Sequence, residues 1–412
     1  MLIDNVTFGN DSKRHSIYIN GEGKVECIDC KKKDGKVIDA KGRLLVPPFV
    51  NSHSHLGYAM TLGYGRRNET GTLLDAVQIL REDVLPKITE DDLKKRLDIA
   101  LREMFLNGIL YVRTHDPLIN DIALKMLKVR ENPLVQVQVV AFPTPSMFFE
   151  DNEEKLEKTI TQGAEVVGML PHHEDTYEEG VKSIKIAMDL AETYNKLVDG
   201  HVDEIDDCKS RYSEVVAHEA KVRKMGSKTT ISHMTASHSY PGAYHHKLSL
   251  LLRDSGVNVV SNPIVNMYLQ GRYDNYPKRR GVARIRELLR RGVNVALGTD
   301  NVMDSVFPLG DFNMLRVAYE AFLADHFVEG EYNVLLDMLT FNGARALSIT
   351  DYGYPREGDT AKFVILNSRS FYDSLRTTVP PFIVMNGRYY GVNDIRIEVN
   401  GEDETTKVNT LD

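Results

Sequence analysis

The feature that most limits what this chain can fold into is a regular change of period along its length. Short apolar runs near residues 46–50, 109–113, 134–141, 165–169, 197–201, 229–232, 257–261 and 293–299 read as strands, and amphipathic helical stretches separate most of them. Thr89-Glu90-Asp91-Asp92 has the chemistry of a helix start and Asn107-Gly108 that of a stop, so a helix is expected between them. Another is expected from Val282 to Arg291-Gly292. Eight strands alternating with helices predict an α/β protein, a (β/α)8 TIM-like barrel.

The two ends of the chain speak a different language. Leu2-Ile3, Ser16-Ile17-Tyr18-Ile19 and the turn Asn20-Gly21-Glu22-Gly23 read as hairpins, and the same texture returns in residues 361–366 and 382–388. These segments predict a small β-sandwich domain formed from both chain termini, residues 1–46 with 355–400, around a barrel at 47–354. Residues 401–412 are polar and are expected to fray. With 412 residues the chain is long enough for one large barrel and such an attachment.

A net charge of -8 and a pI near 5.9 argue against nucleic-acid or anionic-membrane partners. No apolar run is long enough to span a bilayer, and Met1-Leu2-Ile3-Asp4-Asn5 has neither a basic region nor an apolar core, so a cytoplasmic protein is expected. The three cysteines cannot all pair within one chain. Cys27-x-x-Cys30 lies in a charged, β-rich stretch with no second pair, and neither a zinc nor a redox role is assigned to it.

The barrel frame gives meaning to a few polar residues. His53-x-His55 follows the first strand, His201 the fifth, His233 the sixth and Asp300 the eighth. Barrel enzymes place their sites at the carboxyl ends of the strands, so these residues should converge. Side chains alternate along a strand, which puts both rings of His-x-His on one side. Imidazoles and a carboxylate suit zinc, iron(II) or manganese and leave a place for water, whose pKa the ion brings toward neutrality. Glu204, three residues past His201 in an acidic loop, is the candidate general acid–base, while Asp203, Asp206 and Asp207 are read as structural. Of the other histidines, His15, His218 and His326 are expected to be exposed, and His238, His245 and His246 to shape a loop. His115, His172 and His173 are next in line for the mouth of the pocket.

Longer segments match a family. His201-Val202-Asp203-Glu204-Ile205-Asp206-Asp207, residues 232–240, Leu269-Gln270-Gly271-Arg272-Tyr273-Asp274 and residues 276–281 resemble the cytosine deaminases of the amidohydrolase superfamily. The resemblance covers most of the chain and implies the same barrel with a β-sandwich made from both termini. It implies one divalent metal, Fe2+ or Zn2+, on His53, His55, His201 and Asp300, with Glu204 and His233 acting on water and substrate. The implied reaction is hydrolytic deamination. Hydroxide attacks the amine-bearing ring carbon, Glu204 carries a proton to the adjacent ring nitrogen, His233 and Asp300 steer the water, and ammonia leaves. A homo-oligomer is the assembly the family suggests.

The expected substrate-binding residues depart from that pattern. Where cytosine deaminases carry a Gln, a second Asp and a Trp, this chain has Thr144, Asn301 and Val306. Asn301 also occurs at this place in the related N-isopropylammelide amidohydrolases, which lack the His-x-Asp-Glu loop. The resemblance implies cytosine or a related free pyrimidine base as the substrate, and these departures motivate the alternatives. The alternatives are another aminoheterocycle (isoguanine, a creatinine-like ring or an N-substituted aminotriazine) and a barrel that has lost catalysis and serves as a scaffold. The scaffold reading requires an eroded metal set, and this one is complete.

Overall fold

Eight parallel strands form the centre of the structure, a computed structural model that describes residues 1–9, 11, 13–30, 35–391, 395–399 and 402–406. They are β1 (Phe49–Ser54), β2 (Ile109–Pro117), β3 (Gln136–Phe142), β4 (Val166–Met169), β5 (Leu197–Val202), β6 (Thr229–His233), β7 (Asn258–Ser261) and β8 (Asn294–Leu297). Each pairs with its neighbours in chain order. Strands β4, β6 and β7 are buried at every residue, because helices cover the outside and side chains fill the inside.

The sheet closes where β8 returns to β1. The Asp300 N–H donates to the His53 carbonyl at 2.9 Å. The Asn51 side chain donates to Thr299 Oγ1 at 2.7 Å and accepts from its backbone N–H at 3.0 Å. Gly298 allows the approach, since a Cβ there would lie 2.6 Å from His53 Cβ and 2.7 Å from its carbonyl oxygen.

The helix expected from Thr89 runs over Glu90–Leu106, with Thr89 Oγ1 accepting from the Asp92 N–H at 3.2 Å. Two expectations need correction. The first barrel strand begins at Phe49 rather than residue 46, because Pro47 and Pro48 have no N–H to continue a ladder. Leu44–Val46 instead joins the terminal sheet. The helix expected from Val282 is confined to Ile285–Arg290. Arg284 precedes it with a ψ of +71°, outside the helical region, and its guanidinium donates to the Tyr240 carbonyl at 2.6 Å.

Leu44–Val46 also joins the chain ends. It pairs in parallel with Leu2–Phe8 and antiparallel with Lys362–Ile365, so amino- and carboxyl-terminal segments share one mixed sheet. That sheet has its own core, including Ile3, Ile17, Leu45, Phe363 and Val384. Of the polar end, Glu402–Thr406 pairs with Ile395–Val399, and residues 401 and 407–412 lie outside the described residues. Cys27 and Cys30 are disulfide-bonded and Cys208 is free. Among the described residues, no helix is long and apolar enough to cross a membrane.

His218 and His326 are exposed as expected, but His15 is half-buried at the edge of the terminal sheet. Its Nδ1 lies 2.7 Å from Asp29 Oδ2 and its Nε2 lies 3.2 Å from Asp11 Oδ2. Burial disfavours the imidazolium, yet the hydrogen bonds to Asp29 and Asp11 outweigh it and raise its pKa above 6.5. A raised folded value stabilises fully below the unfolded value and is lost as pH rises through the folded one. His15→Gln is therefore expected to cost up to about 1 kcal/mol near about pH 5 and almost nothing near about pH 9. Urea titrations at both pH values test this, and an equal penalty at both would assign His15 a packing role instead.

Candidate functional site

The expected residues meet at the carboxyl ends of the strands. His53 and His201 lie within the last turns of β1 and β5 rather than past them, His233 ends β6, His55 follows β1, and Asp300 follows β8. His55 Nε2 lies 3.4 Å from His53 Nε2 and 3.1 Å from His201 Nε2. Asp300 Oδ1 lies 3.5 Å from His53 Nε2 and 3.3 Å from His55 Nε2. All four side chains are buried.

These atoms fit a cation. His55 Nδ1 donates to the His115 carbonyl at 2.9 Å, so in the neutral ring Nε2 carries only a lone pair. Lone pairs of neighbouring imidazoles thus face one another, and both buried Asp300 oxygens lack a hydrogen-bond donor. An unpartnered carboxylate and converging imidazole nitrogens form a donor set for a divalent ion. Burial pushes the His53 pKa down to about 3, so its ring is neutral and able to ligate. Asp300 is held low. Burial raises it, but the neighbouring imidazoles, His233 and then His53 and His55, outweigh that effect.

Glu204 occupies a different environment. It is buried with its Oε1 at 3.1 Å from His233 Nδ1, and burial, then the Asp300 charge, raises its pKa well above the ordinary carboxyl value. A raised pKa favours the protonated form of a carboxyl, which can donate a proton. Burial lowers His233 to about 3, and the side-chain amide of Asn266 lies 2.9 Å from its Nδ1. His233 and Asp300 take φ values of +75° and +62°, a region that costs a non-glycine residue about 1 kcal/mol or more. Such strain at both strand ends turns their side chains inward. Asp203, read as structural, accepts hydrogen bonds from the backbone N–H groups of Tyr212 and Ser213 and from Ser210 Oγ, which fixes the loop carrying Glu204.

One pocket brings these groups together with the expected substrate residues. His55, His201, Glu204, His233 and Asp300 line it, as do Thr144, Asn301 and Val306. Phe142, Leu73, Val77 and Tyr58 complete an apolar wall that sequence reasoning did not identify. Nor did it find Asp304, a buried carboxylate that accepts from Asn301 Nδ2 at 2.9 Å and sets the plane of that amide. Nothing in the sequence marks Asp304, because its partners come from the fold of its own loop. Past Arg81 and His173 the pocket meets an outer cleft of about 720 Å³, which His172 also lines. His115 does not reach the mouth. It lies beneath His53, with ring centroids 4.0 Å apart.

Residues 62–382 match the model of the amidohydrolase family. The chain belongs to the amidohydrolase family. Among solved structures it is similar to a 5-methylcytosine deaminase from Klebsiella pneumoniae liganded with 5-fluorocytosine, at 35% identity and TM-score 0.91 over 98% of this chain and 100% of that one. That match bears out the kinship with cytosine deaminases expected from the sequence. Among curated relatives, an N-isopropylammelide isopropyl amidohydrolase from Pseudomonas sp. (strain ADP) is 26% identical, covering 90% of this chain and 91% of its own. A pterin deaminase from Rhizobium rhizogenes is also 26% identical, covering 82% of this chain and 78% of its own. As an amidohydrolase, the chain is a hydrolytic enzyme acting on C–N bonds, and its relatives include deaminases.

Asp300→Ala removes the one carboxylate of the converging set. The purified variant is expected to lose most of its bound metal, read by elemental analysis against the unaltered protein. Retention at the same stoichiometry would remove Asp300 from the ligand set.

Proposed function

We propose that this amidohydrolase deaminates a free pyrimidine base, cytosine or its 5-methyl derivative, to the oxo product and ammonia. The observation that supports this best is the shared pocket, where Glu204, its carboxyl pKa raised by burial, lines one cavity with His55, His201, Asp300 and apolar side chains. His53, His55, His201 and Asp300 would hold one divalent ion, Fe2+ or Zn2+. When bound, it supplies a water acidified toward neutral pH.

The remaining work falls to the protein. Asp300, held ionised, accepts a proton from the attacking water through its free oxygen. His233, neutral and anchored by Asn266, orients that water toward the amine-bearing carbon. Glu204 donates a proton to the adjacent ring nitrogen, the proton taken from water passes on to the departing ammonia, and the remaining proton of that water returns to Glu204 as the oxo group forms. Phe142 stacks on His201 at 4.4 Å between centroids and gives the ring an apolar floor.

The 5-methylcytosine deaminase is similar along the whole chain, and this relationship supports a pyrimidine. Val306 adds an apolar wall beside Asn301 that suits a C5 substituent. The second reading is a different aminoheterocycle, such as isoguanine, a creatinine-like ring or an N-substituted aminotriazine. It draws on Thr144, Asn301 and Val306, and on relatives named for triazine-derived and pterin substrates.

Glu204→Gln is expected to keep the metal while losing about two to four orders of magnitude in turnover. Near-normal activity would remove Glu204 from the role of acid. Ammonia release by metal-reconstituted protein is expected to favour cytosine and 5-methylcytosine over isoguanine, creatinine and aminotriazines by about two orders of magnitude in kcat/KM. The reverse ranking would overturn the pyrimidine assignment and leave the site's chemistry standing.

A further inference from the structure

Beneath the converging histidines lies a set of polar side chains that the reaction does not consume. Arg113, Asp199 and Ser232 have no solvent exposure. They sit on β2, β5 and β6, with Asp199 two residues before His201, so it shares the inward face of that strand one layer further down. Ser232 Oγ lies 2.8 Å from Asp199 Oδ1 and 2.9 Å from His53 Nδ1. Arg113 Nη1 donates to Asp199 Oδ2 at 2.8 Å.

The donor arithmetic leaves one arrangement. A carboxylate facing a guanidinium only accepts, so the single hydroxyl proton of Ser232 points to Asp199. The Ser232 oxygen then offers only lone pairs to His53, and the bond at 2.9 Å exists only if His53 Nδ1 carries the ring proton. A neutral imidazole has one such proton, so Nε2 is left bare and aimed at His55 and Asp300. The stacked His115 ring holds His53 from the side, and its Nε2, at 3.5 Å from Asp199 Oδ1, is too distant to displace Ser232.

We propose that Ser232, oriented by the Arg113–Asp199 pair, is a positioning residue that fixes the tautomer of His53 and so keeps its Nε2 lone pair available to a cation. The inference rests on the proposed cation site. His55 obtains the same tautomer from a backbone carbonyl, which no substitution removes, whereas His53 depends on one hydroxyl. Ser232 is therefore the point at which this set can be switched by a single atom.

The test compares Ser232→Ala with Ser232→Thr, which keeps the hydroxyl. Zinc affinity of the apo protein is measured by competition with a chromophoric chelator, and the ring tautomers by nitrogen NMR of 15N-histidine-labelled apo protein. Ser232→Ala is expected to weaken zinc binding about 10- to 100-fold, with one histidine changing from the Nδ1–H to the Nε2–H form. Ser232→Thr is expected to restore both, and the apo melting temperatures of the three proteins should agree. Unchanged affinity and tautomers in Ser232→Ala overturn the proposal. A lowered apo melting temperature that tracks the affinity loss without a tautomer change also overturns it, by assigning Ser232 a packing role. If Ser232→Ala does not fold, Ser232→Cys, a far poorer acceptor, takes its place with the same expected and contrary results. Absence of zinc binding by the unaltered protein would sink the cation site itself, an outcome distinct from failure of the positioning role alone.

Discussion

The structure depends on the seam between β8 and β1. Asn51 and Thr299, 248 residues apart in sequence, exchange a side-chain and a backbone hydrogen bond there, and the Asp300 N–H is fastened to the His53 carbonyl. Without that closure the last strand would be an open edge and Asp300 would have no fixed relation to His53 and His55. The seam therefore does two jobs with the same atoms. It completes the barrel, and it joins the carboxylate and the first two imidazoles of the site across 248 residues of chain.

Burial then differentiates groups of similar chemistry. Glu204 and Asp300 are both removed from water in the same pocket, yet their pKa values move in opposite directions. Asp300 is surrounded by imidazoles that stabilise its charge, whereas Glu204 faces apolar surface and the Asp300 charge. Two carboxyl groups pushed apart in this way supply an acid and a base at one pH. The same loss of solvent lowers the pKa of His53 and His201 and so favours the neutral ring, the state in which an imidazole can ligate.

Much of this was legible in the sequence, for definite reasons. Strand–helix alternation announced the barrel because eight apolar runs recur with amphipathic stretches between most of them, and the converging residues followed once strand ends were known to share a face. The start of β1 was misread because the apolar run Leu44-Leu45-Val46 continues toward Phe49 across two prolines, and hydrophobicity alone does not register a missing N–H. The early helix start at Val282 failed because Arg284 leaves the helical region at ψ +71°, which an apolar period in sequence does not register. Asp304, Asn266 and Ser232 were not legible as functional groups. Each acts through one partner brought to it by the fold, and an isolated polar residue in sequence carries no sign of that partner.

A guanidinium inside a barrel that also gathers a cation site calls for a physical account. Arg113 bears a permanent charge with no exposure to water, and alone it would repel a divalent ion in a medium that screens poorly. Asp199 cancels that charge at 2.8 Å, and Gln138, Thr230 and the Ala346 carbonyl accept three further hydrogen bonds from the guanidinium. The layer below the histidines is thus electrically neutral as a whole but internally polarised, with its carboxylate side turned toward Ser232 and its cationic side toward the barrel floor. That polarity sets the direction of the Ser232 hydroxyl. An apolar core layer of equal volume could fill the barrel as well, but it could not choose which nitrogen of His53 stays bare.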